Sequence, residues 1–374
     1  MHILFAGGGT AGHINPALAV AGYIRDRHPD ATISFIGTAE KLESRLVPEA
    51  GYDFYTIDVA GFQRKLTPQN IKRNLSALRK VFVSSSQAKR LLRQLCPDVV
   101  MGTGGYVSGP VLRDAAKMGF KTVIHEQNAF PGVTTKMLAP KVDRVMLAMP
   151  EAKQYLNLKN EPIITGNPVR EAVIHADRHS ARKALGLDDR PFILSFGGSL
   201  GARPVNEAVA DLMAWHWKEG KYYHYHAAGK AGFANMKDLL KKKGVDLKKA
   251  PAIRMTEYIS DMDLCMAAAD LVICRAGAIT LSELQVQGKA SILIPSPYVA
   301  ENHQYHNAMT LKTKGAAEVI EEKELTGKRL TEEVSRLLAD PSALSHMGDN
   351  AKKSAVLDVN ARIYSVIMDL YSKR

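Results

Sequence analysis

Residues 1–20, MHILFAGGGTAGHINPALAV, contain the clearest structural pattern in the sequence. The apolar run Ile3–Ala6 predicts a strand, and the glycine-rich turn Gly7–Gly12 leads from it into a helix. Pro16 suits the first turn of that helix. Backbone N–H groups at a helix N-terminus are free to bind an anion, and glycine lets a ligand approach the backbone closely. The stretch therefore predicts a ligand-binding turn at the end of a strand.

His13 distinguishes this turn from an ordinary nucleotide fingerprint. No Gly-Lys-Ser/Thr follows, so the turn is not a phosphate-binding P-loop. No acidic residue clearly closes the next predicted strand, Thr32–Gly37, as a dinucleotide fingerprint would require. Imidazole titrates near neutral pH, so a turn that holds a ligand and also presents His13 favours catalysis. The alternative is a common glycine-rich turn without chemistry.

Length and composition set the class of protein. The 374 residues suffice for two domains of ordinary size, and 46% hydrophobic residues allow large cores. The scattered Cys96, Cys265 and Cys274 indicate thiols in a reducing compartment, not disulfides or a metal site. The sequence shows no secretory signal and no apolar run long enough to span a bilayer. We expect a cytosolic protein, or one bound to a membrane from the cytosolic side.

The formal net charge of +12 is unevenly distributed. From Val59 to Pro97 there is no Asp or Glu. Nine cations occupy the same segment: Arg64, Lys65, Lys72, Arg73, Arg79, Lys80, Lys89, Arg90 and Arg93. Apolar residues are interleaved with them: Leu75, Leu78, Val81, Phe82 and Val83. A nucleic acid, an anionic membrane or an acidic ligand would suit this basic segment, and so would a plain solvated helix face.

Strands and helices alternate along the chain, which is typical of parallel sheets wrapped by helices. The opening pattern recurs at Ile193–Ala202, where a strand again feeds a glycine loop and a helix. We therefore predict an α/β fold of two Rossmann-like domains with a cleft between them. The domains are residues 1–166 and 167–357, and a C-terminal helix at about 358–374 packs back on the first.

Loops rich in small or polar residues follow the predicted strands, where ligands bind in such folds. They are Gly102–Pro110, His125–Asn128, Gly166–Arg170, Gly197–Ala202, Cys274–Glu283 and Glu301–Tyr305. Ser108 is expected to cap the helix that follows the first of these loops. The loop at Gly197–Ala202 suits a phosphate, which backbone N–H groups and a hydroxyl would hold.

Together these motifs resemble those of the MurG-type glycosyltransferases of bacterial peptidoglycan synthesis, which convert lipid I to lipid II. The resemblance spans almost the whole chain, in family order. It rests on Gly8–His13, Tyr106–Pro110, His125–Asn128, Gly166–Arg170, Gly197–Ala202, and Ser282-Glu283 with Gln304. One departure is Ala11, where the family commonly has a third loop glycine. The resemblance implies the glycosyltransferase fold known as GT-B.

The resemblance also implies the reaction. The family moves N-acetylglucosamine (GlcNAc) from UDP onto the C4 hydroxyl of the muramyl sugar in undecaprenyl-pyrophosphoryl-MurNAc-pentapeptide. The configuration inverts and no metal or other cofactor is needed. A single displacement requires a base on the acceptor hydroxyl. His13 is the expected base, its alternative role being a hydrogen bond to the leaving pyrophosphate or a stiffer loop. Glu126 is the second candidate, acting directly or by orienting a neighbour.

Further site residues carry over from the family motifs. Glu283 would accept hydrogen bonds from the ribose hydroxyls, Ser199 and Arg170 would bind the diphosphate, and the Ile259 backbone would pair with uracil. Asn128 and Gln304 would bind sugar hydroxyls. The other predicted donor-site residues are Thr10, Ala11, Gly12, Ala278, Ile279, Thr280, Leu281 and Ser282. On the acceptor side the resemblance points to Gly104, Gly105, Tyr106 and Ser108.

The family's acceptor is membrane-bound, which gives the basic segment a use. Lys72, Arg73, Arg79 and Lys80, with Leu75 and Phe82, are predicted to hold the first domain on the anionic cytoplasmic face of the membrane as a peripheral protein. Nucleic acid is disfavoured as a partner, because the segment lacks aromatic stacking platforms.

Two patterns that mimic metal sites are interpreted otherwise. Asp261-Met262-Asp263 has the spacing that holds Mg²⁺ in other glycosyltransferases, but a helix start explains it without metal. His224 and His226 share one face of a predicted strand, and without a third ligand they do not predict zinc.

Two functions remain as alternatives. One is a related enzyme on the same fold, such as a glycosyltransferase for a different glycolipid or a UDP-sugar epimerase. The other is a non-catalytic UDP-sugar sensor or membrane scaffold.

Overall fold

The structure is a computed structural model that describes residues 1–59, 68–198 and 200–373; the side chains of residues 11 and 68–81 are outside this description. The chain divides into two compact units. Unit 1 comprises Met1–Pro168 with Asp358–Arg374, and unit 2 comprises Val169–Leu357. The boundary therefore falls two residues after the one predicted from sequence.

Unit 1 is built on a parallel sheet with the strand order β3-β2-β1-β4-β5-β6-β7. Its strands are β1 His2–Gly7, β2 Thr32–Gly37, β3 Asp53–Thr56, β4 Val99–Gly104, β5 Lys121–Glu126, β6 Arg144–Leu147 and β7 Ile163–Ile164. Its helices are α1 Ala11–Arg27, α2 Glu43–Glu49, α3 Pro68–Leu95, α4 Gly105–Lys117, α5 Val133–Leu138 and α15 Val359–Ser372, with a 3₁₀ turn at Pro150–Tyr155.

Unit 2 repeats the architecture with the strand order β10-β9-β8-β11-β12-β13, again parallel. Its strands are β8 Phe192–Phe196, β9 Tyr223–Ala227, β10 Ile253–Thr256, β11 Leu271–Cys274, β12 Ala290–Leu293 and β13 Glu318–Val319. Its helices are α6 Glu171–Ile174, α7 Arg178–Leu185, α8 Arg203–His216, α9 Phe233–Lys242, α10 Met262–Ala268, α11 Ala278–Gln287, α12 His303–Lys312, α13 Gly327–Leu338 and α14 Pro341–Lys353, with 3₁₀ turns at Ala300–Asn302 and Glu322–Glu324.

The central strands are largely apolar, as expected where helices cover both faces of a parallel sheet. Ile3, Leu4 and Phe5 are fully buried in β1, and Phe192 and Leu194 are fully buried in β8. The predicted α/β class with two Rossmann-like units is confirmed. Within the described residues, no helix has both the length and the apolarity to cross a membrane.

Each sheet has one point where the strand order reverses, between β1 and β4 in unit 1 and between β8 and β11 in unit 2. Parallel α/β sheets bind ligands outside the carboxyl ends of the strands at such points. The two glycine loops, after β1 and after β8, both lie there. The fold thus gives each unit one favoured position for a ligand.

The last helix, α15, belongs to unit 1 and packs against α1. The hydroxyl of Tyr364 on α15 lies 2.7 Å from His28 Nε2, next to the end of α1. Arg144 at the start of β6 lies 3.6 Å from Asp369. The C-terminal segment thus covers the sheet of unit 1.

Candidate active site

His13 lies in the first turn of α1, directly after the glycine loop of unit 1, and its ring is half-buried. Gly104, at the end of β4, faces the ring. Gly104 has φ +100°, and a Cβ there would lie 2.8 Å from His13 Nδ1. A side chain at this position would therefore be strained and would also displace the imidazole.

Glu43 is a buried carboxylate that the sequence did not reveal. Its Oε2 accepts a hydrogen bond from the Gly9 backbone N–H at 2.9 Å. Its Oε1 accepts from the backbone N–H and the hydroxyl of Thr38, at 3.1 and 2.8 Å. No acidic residue ends β2, but the side chain of Glu43 reaches from α2 back to the glycine turn. The Gly9 N–H therefore already binds a carboxylate of the protein itself. The first loop is therefore less suited to a phosphate than its glycines indicate.

Gln127 links His13 to the interior of unit 1. Its Oε1 lies 3.2 Å from His13 Nδ1, and its Nε2 lies 3.0 Å from both Nδ1 and the carbonyl oxygen of His125. The far side of the His125 ring contacts the carbonyl oxygen of Gly166, at 2.9 Å from Nε2. His125 and Gln127 are buried. Gln127 was missed from sequence because it stands between two residues with more familiar chemistry.

Glu126 ends β5 and is almost fully buried. Its Oε1 accepts from the backbone N–H and the side-chain amide of Asn128, at 3.1 and 3.0 Å. Its Oε2 accepts from the Gly132 N–H at 3.1 Å and the Thr135 hydroxyl at 2.5 Å. With both oxygens bound in this way, Glu126 is better placed to orient Asn128 than to take a proton itself.

Ser108 does not cap α4, and this expectation is wrong. The helix begins at Gly105, because Gly104 at φ +100° already turns the chain. Ser108 lies inside the first turns, is fully buried, and bonds to backbone atoms of Ala6 and Gly104. It therefore ties β4 to β1 and does not present its side chain to an acceptor. Tyr106 is 65% exposed and is available for that role.

The glycine loop of unit 2 packs backbone against backbone. Gly201 has φ +76°, and a Cβ there would lie 2.2 Å from the carbonyl oxygen of Ala228. A Cβ on Gly229 would lie 2.4 Å from the Gly201 nitrogen. Glycine is required because the loop after β8 and the loop after β9 touch directly. The predicted phosphate ligand Ser199 lies outside the described residues.

Glu283 and Arg170 form an ion pair within unit 2, with Arg170 Nη2 3.5 Å from Glu283 Oε1. The side chain of Glu283 is only 13% exposed, so it is not an ordinary solvated helix carboxylate. Burial raises the pKa of Glu283, and the Arg170 charge opposes this. Arg170 is more than half exposed, so one face of the guanidinium still meets solvent.

The residues that precede Glu283 on α11 differ in how far their side chains are buried and in what they contact. Ile279 and Thr280 are half-buried near the helix start. The side chain of Leu281 is fully buried in the core and its N–H donates to the Gly277 carbonyl, so neither is presented to a ligand. The hydroxyl of Ser282 donates to the Ala278 carbonyl at 3.2 Å, which ties that side chain to its own helix.

Ile259 and Gln304 both keep polar groups available. The Ile259 side chain is buried, while its backbone N–H and C=O make no hydrogen bond to any residue that the structure describes. Gln304 Oε1 accepts from the Ser296 N–H at 2.9 Å. Its amide N–H groups have no acceptor among the described residues. Glu301 and Asn302, just before, have φ +55° and +50°, a conformation that costs about 1 kcal/mol or more per residue outside glycine.

Asp261 and Asp263 lie at the start of α10, as the helix-start interpretation predicts. Asp261 occupies the position before the helix, although its side chain makes no capping hydrogen bond. His224 and His226 do share one face of β9, since both rings contact Ser195 Oγ, at 2.7 and 2.8 Å. In the described part of the chain, no three His, Cys, Asp or Glu side chains are grouped as metal ligands would be.

Most of the basic segment lies on α3, Pro68–Leu95, while its residues 60–67, including Arg64 and Lys65, lie outside the described part of the chain. Phe82 on this helix is 72% exposed and Val83 is 37% exposed. The side chains of Lys72, Arg73, Leu75, Arg79 and Lys80 lie outside the described set. In the C-terminal half of α3, Arg90 and Arg93 are exposed.

Two family models match this chain. The glycosyltransferase family 28 N-terminal domain matches residues 3–147, and the glycosyltransferase family 28 C-terminal domain matches residues 192–363. Both describe halves of one class of enzyme. The N-terminal match lies within unit 1, and the C-terminal match covers most of unit 2 and runs six residues into the C-terminal segment of unit 1.

Individual relatives show which glycosyltransferase family this chain belongs to. The UDP-N-acetylglucosamine–N-acetylmuramyl-(pentapeptide) pyrophosphoryl-undecaprenol N-acetylglucosamine transferase of Acetivibrio thermocellus is 46% identical over 375 residues, covering 100% of this chain and 99% of the relative. The transferase of the same name from Ruminiclostridium cellulolyticum is 44% identical, covering 99% and 100%. The crystal structure of Acinetobacter baumannii MurG matches with a TM-score of 0.80 at 29% identity, over 98% of this chain and 99% of that one. The chain therefore belongs to the MurG family of N-acetylglucosamine transferases.

Proposed function

We propose that this enzyme transfers N-acetylglucosamine from UDP-GlcNAc to the C4 hydroxyl of the muramyl sugar in undecaprenyl-pyrophosphoryl-MurNAc-pentapeptide, converting lipid I to lipid II in peptidoglycan synthesis. The names and full-length identity of its relatives support the substrates. Within the structure, the proposal is carried by His13. One ring nitrogen of His13 is bound by Gln127, and the other has no hydrogen-bond partner among the described residues.

The reaction is proposed as a single displacement with inversion. His13 takes the proton of the acceptor hydroxyl while the oxygen forms a bond to C1 of GlcNAc, and the bond from C1 to the UDP oxygen breaks. The oxygen attacks the face opposite the leaving group, which inverts the configuration. General base catalysis of this kind contributes about 10² to 10⁴ to the rate. No metal is required in this scheme, because backbone N–H groups and Arg170 would stabilise the departing diphosphate.

Unit 2 is proposed to hold the donor. Glu283 is well suited to the two ribose hydroxyls, because a buried carboxylate accepts two hydrogen bonds strongly. The unpaired backbone of Ile259 offers one donor and one acceptor to uracil. The amide N–H groups of Gln304 would bind a hydroxyl of the sugar. In unit 1, Glu126 orients Asn128, and Tyr106 would contact the acceptor.

The enzyme is further proposed to bind the cytoplasmic face of the membrane as a peripheral protein, which would serve cell-wall growth, cell shape and division. The exposed Phe82 and Val83 and the acid-free basic segment support this. Each cation near an anionic surface contributes about 1 kcal/mol. Flotation with anionic vesicles tests it, using a charge-reversed variant with Lys72, Arg73, Arg79 and Lys80 all changed to Glu. The matched control carries the same change at Lys237, Lys241, Lys242 and Lys248. Equal flotation of the two variants would contradict the proposed surface.

The activity itself is tested with labelled UDP-GlcNAc and a lipid I analogue, with EDTA present. Labelled lipid II analogue is the expected product. The His13→Ala variant should lose about 10²-fold or more in turnover but still bind UDP-GlcNAc, while the exposed His179→Ala serves as control. Binding of UDP-GlcNAc without transfer by the wild type would instead support a sensor, and release of an epimerised sugar would support an epimerase.

A further inference from the structure

A chain of hydrogen bonds runs from the backbone of Gly166 through His125 and Gln127 to His13. Each step joins two groups of unit 1 at 2.9 to 3.2 Å. An imidazole nitrogen donates when it carries a hydrogen and accepts when it does not. The identity of the first acceptor therefore determines which nitrogen of each ring carries hydrogen.

The chain begins at a group that can only accept. The Gly166 carbonyl oxygen lies 2.9 Å from His125 Nε2, so that nitrogen must carry the hydrogen. Burial lowers the pKa of His125, so the ring is neutral near pH 7. A neutral ring has one hydrogen on nitrogen, and His125 Nδ1 must therefore be an acceptor.

Gln127 can satisfy this acceptor in only one orientation. Its NH₂ group donates one hydrogen to His125 Nδ1 and the other to the His125 carbonyl oxygen, both at 3.0 Å. The reversed amide would place its oxygen against two acceptors. The amide oxygen must consequently face His13, where it lies 3.2 Å from Nδ1.

We propose that Gln127, held by His125, is a positioning residue that fixes the tautomer of His13, placing the hydrogen on Nδ1 and the lone pair on Nε2. This rests on the proposed role of His13 as base, and it specifies which atom takes the proton from the acceptor hydroxyl. The two buried carboxylates of this region, Glu43 at the start of α2 and Glu126 at the end of β5, are bound to other groups. The neutral amide of Gln127 is thus the group that sets the state of Nδ1.

The tautomer can be measured without activity. In full-length protein labelled with ¹⁵N-histidine, the nitrogen that carries hydrogen and the one with the lone pair have distinct NMR shifts. The His13 signals are assigned from their loss in His13→Ala. We expect hydrogen on Nδ1 in the wild type and a mixture of tautomers in Gln127→Met, which removes both polar groups at similar volume. A wild-type His13 with hydrogen on Nε2, or an unchanged tautomer in Gln127→Met, would overturn the inference.

Kinetics of two variants separate tautomer control from packing. Gln127→Met should lower kcat about 10²-fold, with the KM for UDP-GlcNAc nearly unchanged. Gln127→Glu keeps an oxygen facing Nδ1 but sets its other oxygen against the two acceptors of His125, so it should also lose activity. Its negative charge should also move the acid limb of the kcat profile to higher pH. If Gln127 only filled space, Gln127→Met, which has a similar volume, would keep the wild-type kcat.

Different results would refute the base role of His13 and the positioning role of Gln127. If His13→Ala turns over at the wild-type rate, the base assignment itself is wrong and the tautomer has no catalytic meaning. If His13→Ala is inactive while Gln127→Met equals the wild type in kcat, the base assignment stands and the role of Gln127 is refuted.

Discussion

Unit 2 contains a buried network of three histidines that should make it sensitive to acid. His216 Nε2 lies 3.1 Å from His224 Nδ1, and Ser195 Oγ joins His224 to His226. His226 Nε2 lies 3.1 Å from Asn206 Oδ1. The Asn206 amide donates to a carbonyl, so its oxygen faces His226 and accepts from Nε2 of that ring. Because the three rings are buried, each is expected to be neutral near pH 7.

The size of the effect follows from the pKa values. Burial lowers the pKa of His216 and of His226 from the ordinary 6.5 to about 4, and it lowers that of His224 well below 6.5. Above pH 6.5 these rings are neutral in both folded and unfolded chains, so stability is fully present. Between 6.5 and about 4 the unfolded chain binds protons that the folded chain does not, and stability falls. From about pH 7.5 to about pH 5.5 this amounts to about 1 kcal/mol for each histidine.

Urea unfolding measured by tryptophan fluorescence at the two pH values tests this. The chain has two tryptophans, Trp215 and Trp217, and both flank His216, so their signal reports on unit 2. His226→Gln should reduce the acid-induced loss of unfolding free energy by about 1 kcal/mol, whatever its stability at neutral pH. The exposed His179→Gln should behave as the wild type. An acid-induced loss in His226→Gln equal to that of the wild type would refute the neutral network.

Three further predictions concern the site. Gly104→Ala should lower kcat more than about tenfold while the KM for UDP-GlcNAc stays constant, because its Cβ would meet His13 Nδ1; steady-state kinetics decide this. Glu43→Gln should cost about 2 kcal/mol of unfolding free energy, since an amide cannot accept at both ends, while the exposed Glu40→Gln should cost little; urea unfolding compares them. Glu283→Gln should weaken UDP-GlcNAc binding about tenfold by calorimetry. Wild-type affinity should also fall as pH falls through the raised pKa of Glu283, and a flat wild-type pH profile would contradict its role.

The fold could be predicted because its signals are local. Buried parallel strands read as short apolar runs, and glycine marks the turns that follow them. The two glycine loops at Gly7–Gly12 and Gly197–Ala202 therefore identified both sheets before any contact was known. Ser108 shows the limit of local patterns. A serine just ahead of a helical segment favours a cap, but the positive φ of Gly104 starts the helix earlier and places Ser108 inside it.

The site was less predictable because its polar contacts join distant positions. Glu43 reaches Gly9 across 34 residues, and Gln127 reaches His13 across 114. No periodicity or spacing brings such pairs together, since the tertiary fold alone does so. Leu281 shows a related limit. A motif names a stretch of residues, but helical geometry directs some of their side chains into the core, as it does that of Leu281.

The two glycine loops show why similar sequences need not do similar chemistry. In the first, the Gly9 amide is bound by the carboxylate of Glu43, which would repel a second anion at that point. In the second, Gly201 packs on the backbone beside Ala228, and unit 2 places the Arg170 cation beside the buried Glu283. In the proposed function, unit 2 would therefore bind the diphosphate, and the first loop would position the uncharged acceptor hydroxyl. For His13 as the proposed base, the position of the ring hydrogen then matters more than a positive electrostatic potential. The neutral amide of Gln127 would fix that position without adding a charge.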